Sequence, residues 1–269
     1  MRPLAELRVE NFRGLLFDID DTLTTQGKLT AAAYGAMERL KSAGKLVVPI
    51  TGRPAGWCDQ IARLWPVDAV VGENGAFYFF ASGAGLARRY LDEAPRRAER
   101  RTRLGAIAQR ILREVPGCAL ASDQAYRETD LAIDYCEDVA ALPLAAAERI
   151  AAIMREEGLQ AKISSIHVNG WFGEYDKLST TRRLFEERWA IDLARDGAQF
   201  VFAGDSPNDA PMFAFFAHSV GVANVARFAG RIAAEPRYLA RASAGAGFAE
   251  LVDQLLGAAP HPAPQPKRE

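Results

Sequence analysis

Phe17-Asp18-Ile19-Asp20-Asp21-Thr22 sets three carboxylates directly behind the apolar run Leu15-Leu16-Phe17 and follows them with a hydroxyl. Carboxylates crowded this closely repel one another and favour a bound cation. Asp18 and Asp20, two positions apart in an extended chain, face the same way unless a turn intervenes, and a hard divalent ion such as magnesium would relieve their repulsion. An acidic turn after a strand has the same composition, so the stretch does not decide the matter alone. Two further apolar runs also end in polar residues. Leu46-Val47-Val48-Pro49-Ile50 leads into Thr51-Gly52-Arg53-Pro54, and Phe200-Val201-Phe202-Ala203 leads into Gly204-Asp205-Ser206-Pro207-Asn208-Asp209. A short hydroxyl beside a glycine lets backbone amides approach an anion closely, which suits Thr51 and Gly52 to phosphate; an ordinary strand-to-helix cap would use the same two residues. Tyr175-Asp176-Lys177 opens a predicted helix. A cation there opposes the helix dipole, a cost that Asp176 as cap would offset, so a second role for the Lys177 ammonium is expected.

These groups meet only if the runs lie side by side. In an open parallel sheet ligands bind at the carboxyl ends of the strands, which is where each polar cluster falls. Between Thr51 and Lys177 the pattern changes. Leu104, Ile107, Ala108, Ile111, Leu112 and Val115 recur at helical spacing, as do Leu144, Ala147, Ala151 and Met154. Leu131-Ala132-Ile133-Asp134-Tyr135 and the stretch from Lys162 to Val168 read as strands. The expected organisation is α/β, with a parallel-sheet core over 1–81 and 171–257 and an α+β insertion over 82–170. The proline-rich tail, 258–269, is expected to lack fixed structure.

The 269 residues are 49% hydrophobic and 25% charged with a formal net charge of -1. That suffices for one or two buried cores, and the near-neutral balance argues against nucleic acid as a partner. Cys58, Cys118 and Cys136 are odd in number and lack metal-ligand spacing, which points to reduced thiols in the cytoplasm. No stretch near the N-terminus has a signal-peptide core, and no run reaches membrane-spanning length. Nine arginines against three acids between Arg88 and Arg113 read as the solvated face of a helix, with attraction of an anion as the alternative.

In this order the residues resemble the four signature motifs of the haloacid dehalogenase-like phosphatase superfamily: Asp18, Asp20 and Thr22; Thr51; Lys177; and Gly204, Asp205, Asn208 and Asp209. Lys162 is the other lysine between Thr51 and Gly204. The resemblance implies a Rossmann-like core carrying an inserted α+β cap of the kind found in sugar-phosphate phosphatases, and Val71-Gly72-Glu73-Asn74-Gly75 just before the cap agrees with that subgroup. It implies a cytoplasmic magnesium-dependent phosphomonoester hydrolase, monomeric or homodimeric, acting on a small phosphate ester such as a sugar phosphate. Asp18 would be the nucleophile and Asp20 the general acid and base. Thr51 and Lys177 would hold the phosphoryl oxygens, with Mg2+ held by Asp18, Asp20 through its backbone carbonyl, Asp205 and Asp209. Thr22, Gly52, Arg53 and Asn208, with Arg127 and His167 from the cap, are the candidate substrate contacts. A phosphomutase would use the same chemistry and pass the phosphoryl group to a sugar hydroxyl. A non-enzymatic phosphate sensor fits less well with these motifs, and a receiver domain is excluded by their order.

Overall fold

The computed structural model describes residues 1–83 and 85–257; the proline-rich tail lies outside them. In chain order the strands are β1 (Arg2–Pro3), β2 (Gly14–Phe17), β3 (Leu46–Pro49), β4 (Val70–Gly72), β5 (Phe77–Ser82), β6 (Gly85–Tyr90), β7 (Ala119–Leu120), β8 (Asp130–Asp134), β9 (Gln160–Ile163), β10 (His167–Trp171), β11 (Phe200–Gly204), β12 (Ser219–Gly221) and β13 (Tyr238–Leu239). The helices are α1 (Ala31–Ser42), α2 (Ala55–Leu64), α3 (Ala94–Glu114), α4 (Leu144–Glu156), α5 (Lys177–Trp189), α6 (Leu193–Asp196), α7 (Ala210–Phe215) and α8 (Ala244–Leu256).

Six strands form a wholly parallel sheet in the order β1-β13-β12-β11-β2-β3. Burial on both faces explains the continuous apolar runs. Leu15 and Phe17 of β2 point into a core shared with α1 and α8, while Leu16 points into the opposite core, where Phe185 of α5 and Phe213 of α7 lie. A bridge between Ile50 and Val71 carries the sheet on into the antiparallel ribbon β4-β5-β6. The expected boundary at residue 82 therefore falls at the tip of the β5–β6 hairpin.

A separate antiparallel sheet, β7-β8-β10-β9, has α3 and α4 packed on one face. Strand alternation sorts its residues. Leu131, Ile133 and Val168 join Leu104, Ile111, Ile150 and Met154 in an apolar core, whereas Asp130, Asp134, His167 and Asn169 are buried polar groups on the other face. The stretch from Lys162 to Val168, read as one strand, is a hairpin whose turn separates β9 from β10. Ser164 is the reason: its hydroxyl accepts from the His167 amide at 3.0 Å and donates to the His167 carbonyl at 3.0 Å, closing the turn. The arginines of α3 and its approach are tied to neighbouring acids, among them Arg88 to Asp59, Arg100 to Asp92 and Arg110 to Glu114, Glu156 and Glu157.

Candidate active site

Strand pairing alone sets the first part of the site. Phe17 lies level with Ala203 on one side and Pro49 on the other, so the chain beyond β2 emerges between those beyond β11 and β3, bringing Asp18 between Asp205 and Thr51. The Asp18 amide donates to Ala203 O at 2.9 Å and the Ile50 amide to Phe17 O at 2.8 Å, holding this alignment to the strand tips.

Lys177 completes a buried cluster. Asp176 caps α5 by accepting from the Ser179 amide at 2.7 Å. The Lys177 ammonium lies 2.7 Å from Asp18 Oδ1 and 2.7 Å from Asp209 Oδ1. Burial works against its charge, but the two carboxylates outweigh burial and hold its pKa above the ordinary lysine range. Lys162 sits on β9, in the separate antiparallel sheet.

Asp18, Asp205 and Asp209 present carboxylate oxygens within 4.8 Å of one another. Burial, reinforced by neighbouring acids and opposed by Lys177, pushes Asp18 up to about 8. Asp205 is raised well above its usual range, by burial first and then by Asp18 and Asp209. Ionised together, the three carboxylates would outweigh the one ammonium, so their full ionisation calls for a further cation. Asp205 also keeps one buried oxygen, Oδ1, without a hydrogen-bond partner, while Oδ2 accepts from Asn224 at 2.9 Å. A hard cation would satisfy both the charge and the orphaned oxygen, so these residues fit magnesium. Asp209 has a bracing role as well: its Oδ2 accepts from the Asp205 amide at 3.1 Å and the Ser206 amide at 3.4 Å. The Asp20 side chain lies outside the cluster and is turned toward Arg53.

Asp18 and Asp20 line a small chamber of about 10 Å3 together with Gly52, Arg53, Asn208, His167 and Asn169. It adjoins an outer cavity of about 960 Å3 whose lining includes Asp20, Arg53, Trp57, Glu137, Asp138 and Arg227. Gly52, Arg53, Asn208 and His167 thus meet around one chamber. Thr51 is fully buried, with its hydroxyl accepting from the Arg53 amide at 3.0 Å. Thr22 is also buried, its hydroxyl unpartnered, and it lines neither cavity.

Arg127 requires a correction as a substrate contact. Its side chain is 0% exposed and ion-paired to Asp123 and Asp130, and it donates to Gly52 O at 2.8 Å. The guanidinium is consumed in joining the chain before β8 to the Thr51 loop. Arg127→Ala would leave Asp123 and Asp130 buried with less compensation and should cost about 3–5 kcal/mol of stability. Arg101→Ala, removing an exposed pair with Glu128, should cost less than about 1 kcal/mol. Denaturant titration of the two variants checks this; similar small losses would show that Arg127 is not a brace.

Glu73, read in the sequence only as part of the 71–75 stretch, anchors the same corner. Its buried carboxylate accepts from the amides of Ala55 and Glu128 at 2.9 Å each, from the Thr129 amide at 2.6 Å, and from the Thr129 hydroxyl. Burial first, and then Asp130, push its carboxyl up to about 7 against Arg127 and these donors. The turn around it is left-handed at Glu73, Asn74 and Gly75. At Gly75, φ +110° and the nearby Asp176 carbonyl leave no room for a Cβ. Asn224 and Glu137 were missed as well. Asn224 follows β12 with no motif to mark it.

Residues 15–97 match a family of haloacid dehalogenase-like hydrolases. A comparison by sequence with curated proteins gave no match. Among solved structures, a Thermoplasma acidophilum protein is similar at 15% identity and TM-score 0.66, over 91% of this chain and 99% of that one. The sucrose-phosphatase of a Synechocystis species, solved with sucrose and phosphate, is similar at 19% identity and TM-score 0.61, over 89% and 96%. The C-terminal domain of Candida albicans trehalose-6-phosphate phosphatase is similar at 14% and 0.66, over 92% and 93%. At these identities the structural likeness establishes the fold.

Proposed function

From a haloacid dehalogenase-like fold whose first segment matches that hydrolase family, we propose that this chain is a magnesium-dependent phosphomonoester hydrolase acting on a sugar phosphate. The observation that carries the reading is the Asp18–Lys177–Asp209 arrangement beside Asp205, at the carboxyl ends of central parallel strands. Of the clustered carboxylates, Asp18 is the one that lines the chamber. Asp209 is occupied by Lys177 and two amides.

In the reaction the Asp18 carboxylate attacks phosphorus and the ester P–O bond breaks, giving an aspartyl phosphate and splitting one difficult displacement into two. Asp20 gives a proton to the leaving oxygen, then takes one from the water that attacks the same phosphorus and releases phosphate and Asp18. Lys177 offsets charge on the phosphoryl oxygens, and the Thr51 hydroxyl is available to donate to one of them. Magnesium, held by Asp18, the Asp20 carbonyl and Asp205 with Asp209 and Asn208 behind them, would supply the positive charge that brings Asp18 into its ionised form and neutralises the transferring group.

The segment between the hairpin β5–β6 and α5 acts here as a cap. A chamber of about 10 Å3 holds roughly one water, so a phosphate ester enters only when the cap moves away, and its return excludes bulk water. The large outer cavity, which combines an exposed Trp57 face with several carboxylates and arginines, suits a polyhydroxylated leaving group. The sucrose-phosphatase and trehalose-6-phosphate phosphatase folds support the same substrate class.

Phosphate release from a panel of esters, with magnesium and with chelator, tests the reading directly. Asp20→Ala then separates the roles of the two aspartates. Sugar and alkyl phosphates should lose about 100-fold or more in kcat and p-nitrophenyl phosphate far less, because nitrophenolate leaves without a proton. Equal losses would remove the acid role of Asp20.

A further inference from the structure

The Asp20 carboxylate is held by a guanidinium. Arg53 Nε donates to both of its oxygens, at 2.9 and 3.0 Å, and a terminal nitrogen lies 2.8 Å away. The Arg53 carbon stands 4.4 Å over the Trp57 ring. The same terminal nitrogen also donates to Glu137 Oε1 at 2.5 Å, and the other one reaches Asp123 Oδ2 at 3.2 Å and Glu137 Oε2 at 3.4 Å. Asp123 already accepts from Arg127 through both oxygens. Glu137 is differently placed. It stands on a turn just past β8, where the buried Asp134 carboxylate accepts from the amides of Cys136, Glu137 and Asp138 at 2.9, 2.7 and 2.8 Å. Its second oxygen lies 2.8 Å from His167 Nε2, without the alignment of a hydrogen bond. The backbone of the turn is thus fixed and the carboxylate directed at Arg53. Burial would raise the Glu137 carboxyl, but His167 and Arg53 outweigh it and draw it down to about 2.

We propose that Glu137 is a positioning residue for the hydrolysis: acting from the cap through Arg53, it fixes the Asp20 carboxylate at the leaving oxygen, so that the acid is fully assembled only when the cap is closed. This rests on the phosphatase reading above. Glu137 itself exchanges no proton and forms no bond with substrate. An arginine anchored at one edge by Asp20 retains rotamer freedom, and an anion at its far edge removes it by charge-assisted hydrogen bonding in a fixed fork geometry. Because Arg53 and Asp20 belong to the core and Glu137 to the cap, withdrawal of the cap removes that restraint.

Glu137→Ala and Glu137→Gln in the full chain test this against a hexose 6-phosphate and p-nitrophenyl phosphate. If Glu137 acts through Asp20, kcat for the sugar phosphate should fall at least about tenfold with KM within about threefold, and kcat for the nitrophenyl ester should stay within about threefold. The double variant with Asp20→Ala should be no slower on the sugar phosphate than Asp20→Ala alone. Crystal structures of the variants should show Arg53 and the Asp20 carboxylate in more than one rotamer. Equal kcat losses on both esters, additive losses in the double variant, or a change confined to KM would each overturn the proposal, the last marking Glu137 as a sugar ligand instead. Glu137→Gln keeps the shape of the side chain and carries the test should the alanine variant not fold. A wild type hydrolysing neither ester would remove the phosphatase reading itself. An active wild type with a leaving-group-selective Asp20→Ala defect and unaffected Glu137 variants would overturn the Glu137 role alone.

Discussion

Replacing Asp18 by asparagine should lower turnover of every phosphate ester by at least about a thousandfold, roughly 4 kcal/mol in barrier height, while leaving the fold intact. The amide keeps the shape of the side chain and still accepts from Lys177, but it cannot attack phosphorus. Folding should survive because the substitution removes a carboxylate that burial and neighbouring acids already disfavour. Steady-state kinetics with circular dichroism melts check both halves. Activity within tenfold of wild type would mean that Asp18 is not the nucleophile. Acid-quenched reactions with labelled substrate provide a second reading: the label should remain on wild-type protein and be missing from the variant.

Lys177→Ala should be as damaging to turnover and worse for stability. The ammonium is 2% exposed and is shared by Asp18 and Asp209 at 2.7 Å each. Without it three neighbouring acids are left uncompensated, which should cost about 3–5 kcal/mol in the absence of divalent ion, and phosphoryl oxygens lose their cation. Part of the stability loss should return with magnesium, by mass action of an ion that binds the folded cluster. Lys162→Ala should leave turnover near wild type and shift stability by about 0.5 kcal/mol or less. The reverse pattern in kcat would transfer the phosphate-binding role to Lys162.

Which parts of this site the sequence revealed depends on how far each residue's partners lie along the chain. Asp18, Thr51 and Asp205 were legible because each directly follows an apolar run, and parallel pairing then aligns those runs without further information. Lys177 was legible from its odd place at a helix start. Helices α3 and α4 were read from their periodicity, since Ile107 and Ile111, like Ala147 and Ala151, repeat at one helical turn. Glu73 was not legible in role: its partners are Ala55, Glu128 and Thr129, and nothing in a turn of glycine, acid and amide reveals donors so far off. Glu137 meets Arg53 across 84 positions, and Asn224 meets Asp205 across 19, in both cases through a side chain that no periodicity marks. Arg127 misled for the opposite reason. A cation on a cap turn suggested a ligand for phosphate, but neighbouring Asp123 and Asp130 had already claimed it.

If the cap opens as proposed, the corner built by Glu73 and Arg127 would govern how the two layers separate. Glu73 holds the amides of residues 128 and 129, and Arg127 holds the Gly52 carbonyl, all from side chains shielded from water. Those contacts are expensive to break, so in the proposed opening of the cap that corner would serve as a pivot and not as a lip. The turn carrying Glu137 and the β9–β10 hairpin lie away from that corner, touching the core through Arg53 and the chamber wall. With the proposed opening, a small rotation at that corner would become a wide gap at the far edge, as with a door whose hinge is fixed and which is latched in part by the Glu137–Arg53 ion pair. The sizes of substrate admitted would then follow from the angle of swing, and a mutation at the hinge would alter access without touching any group that meets the phosphate.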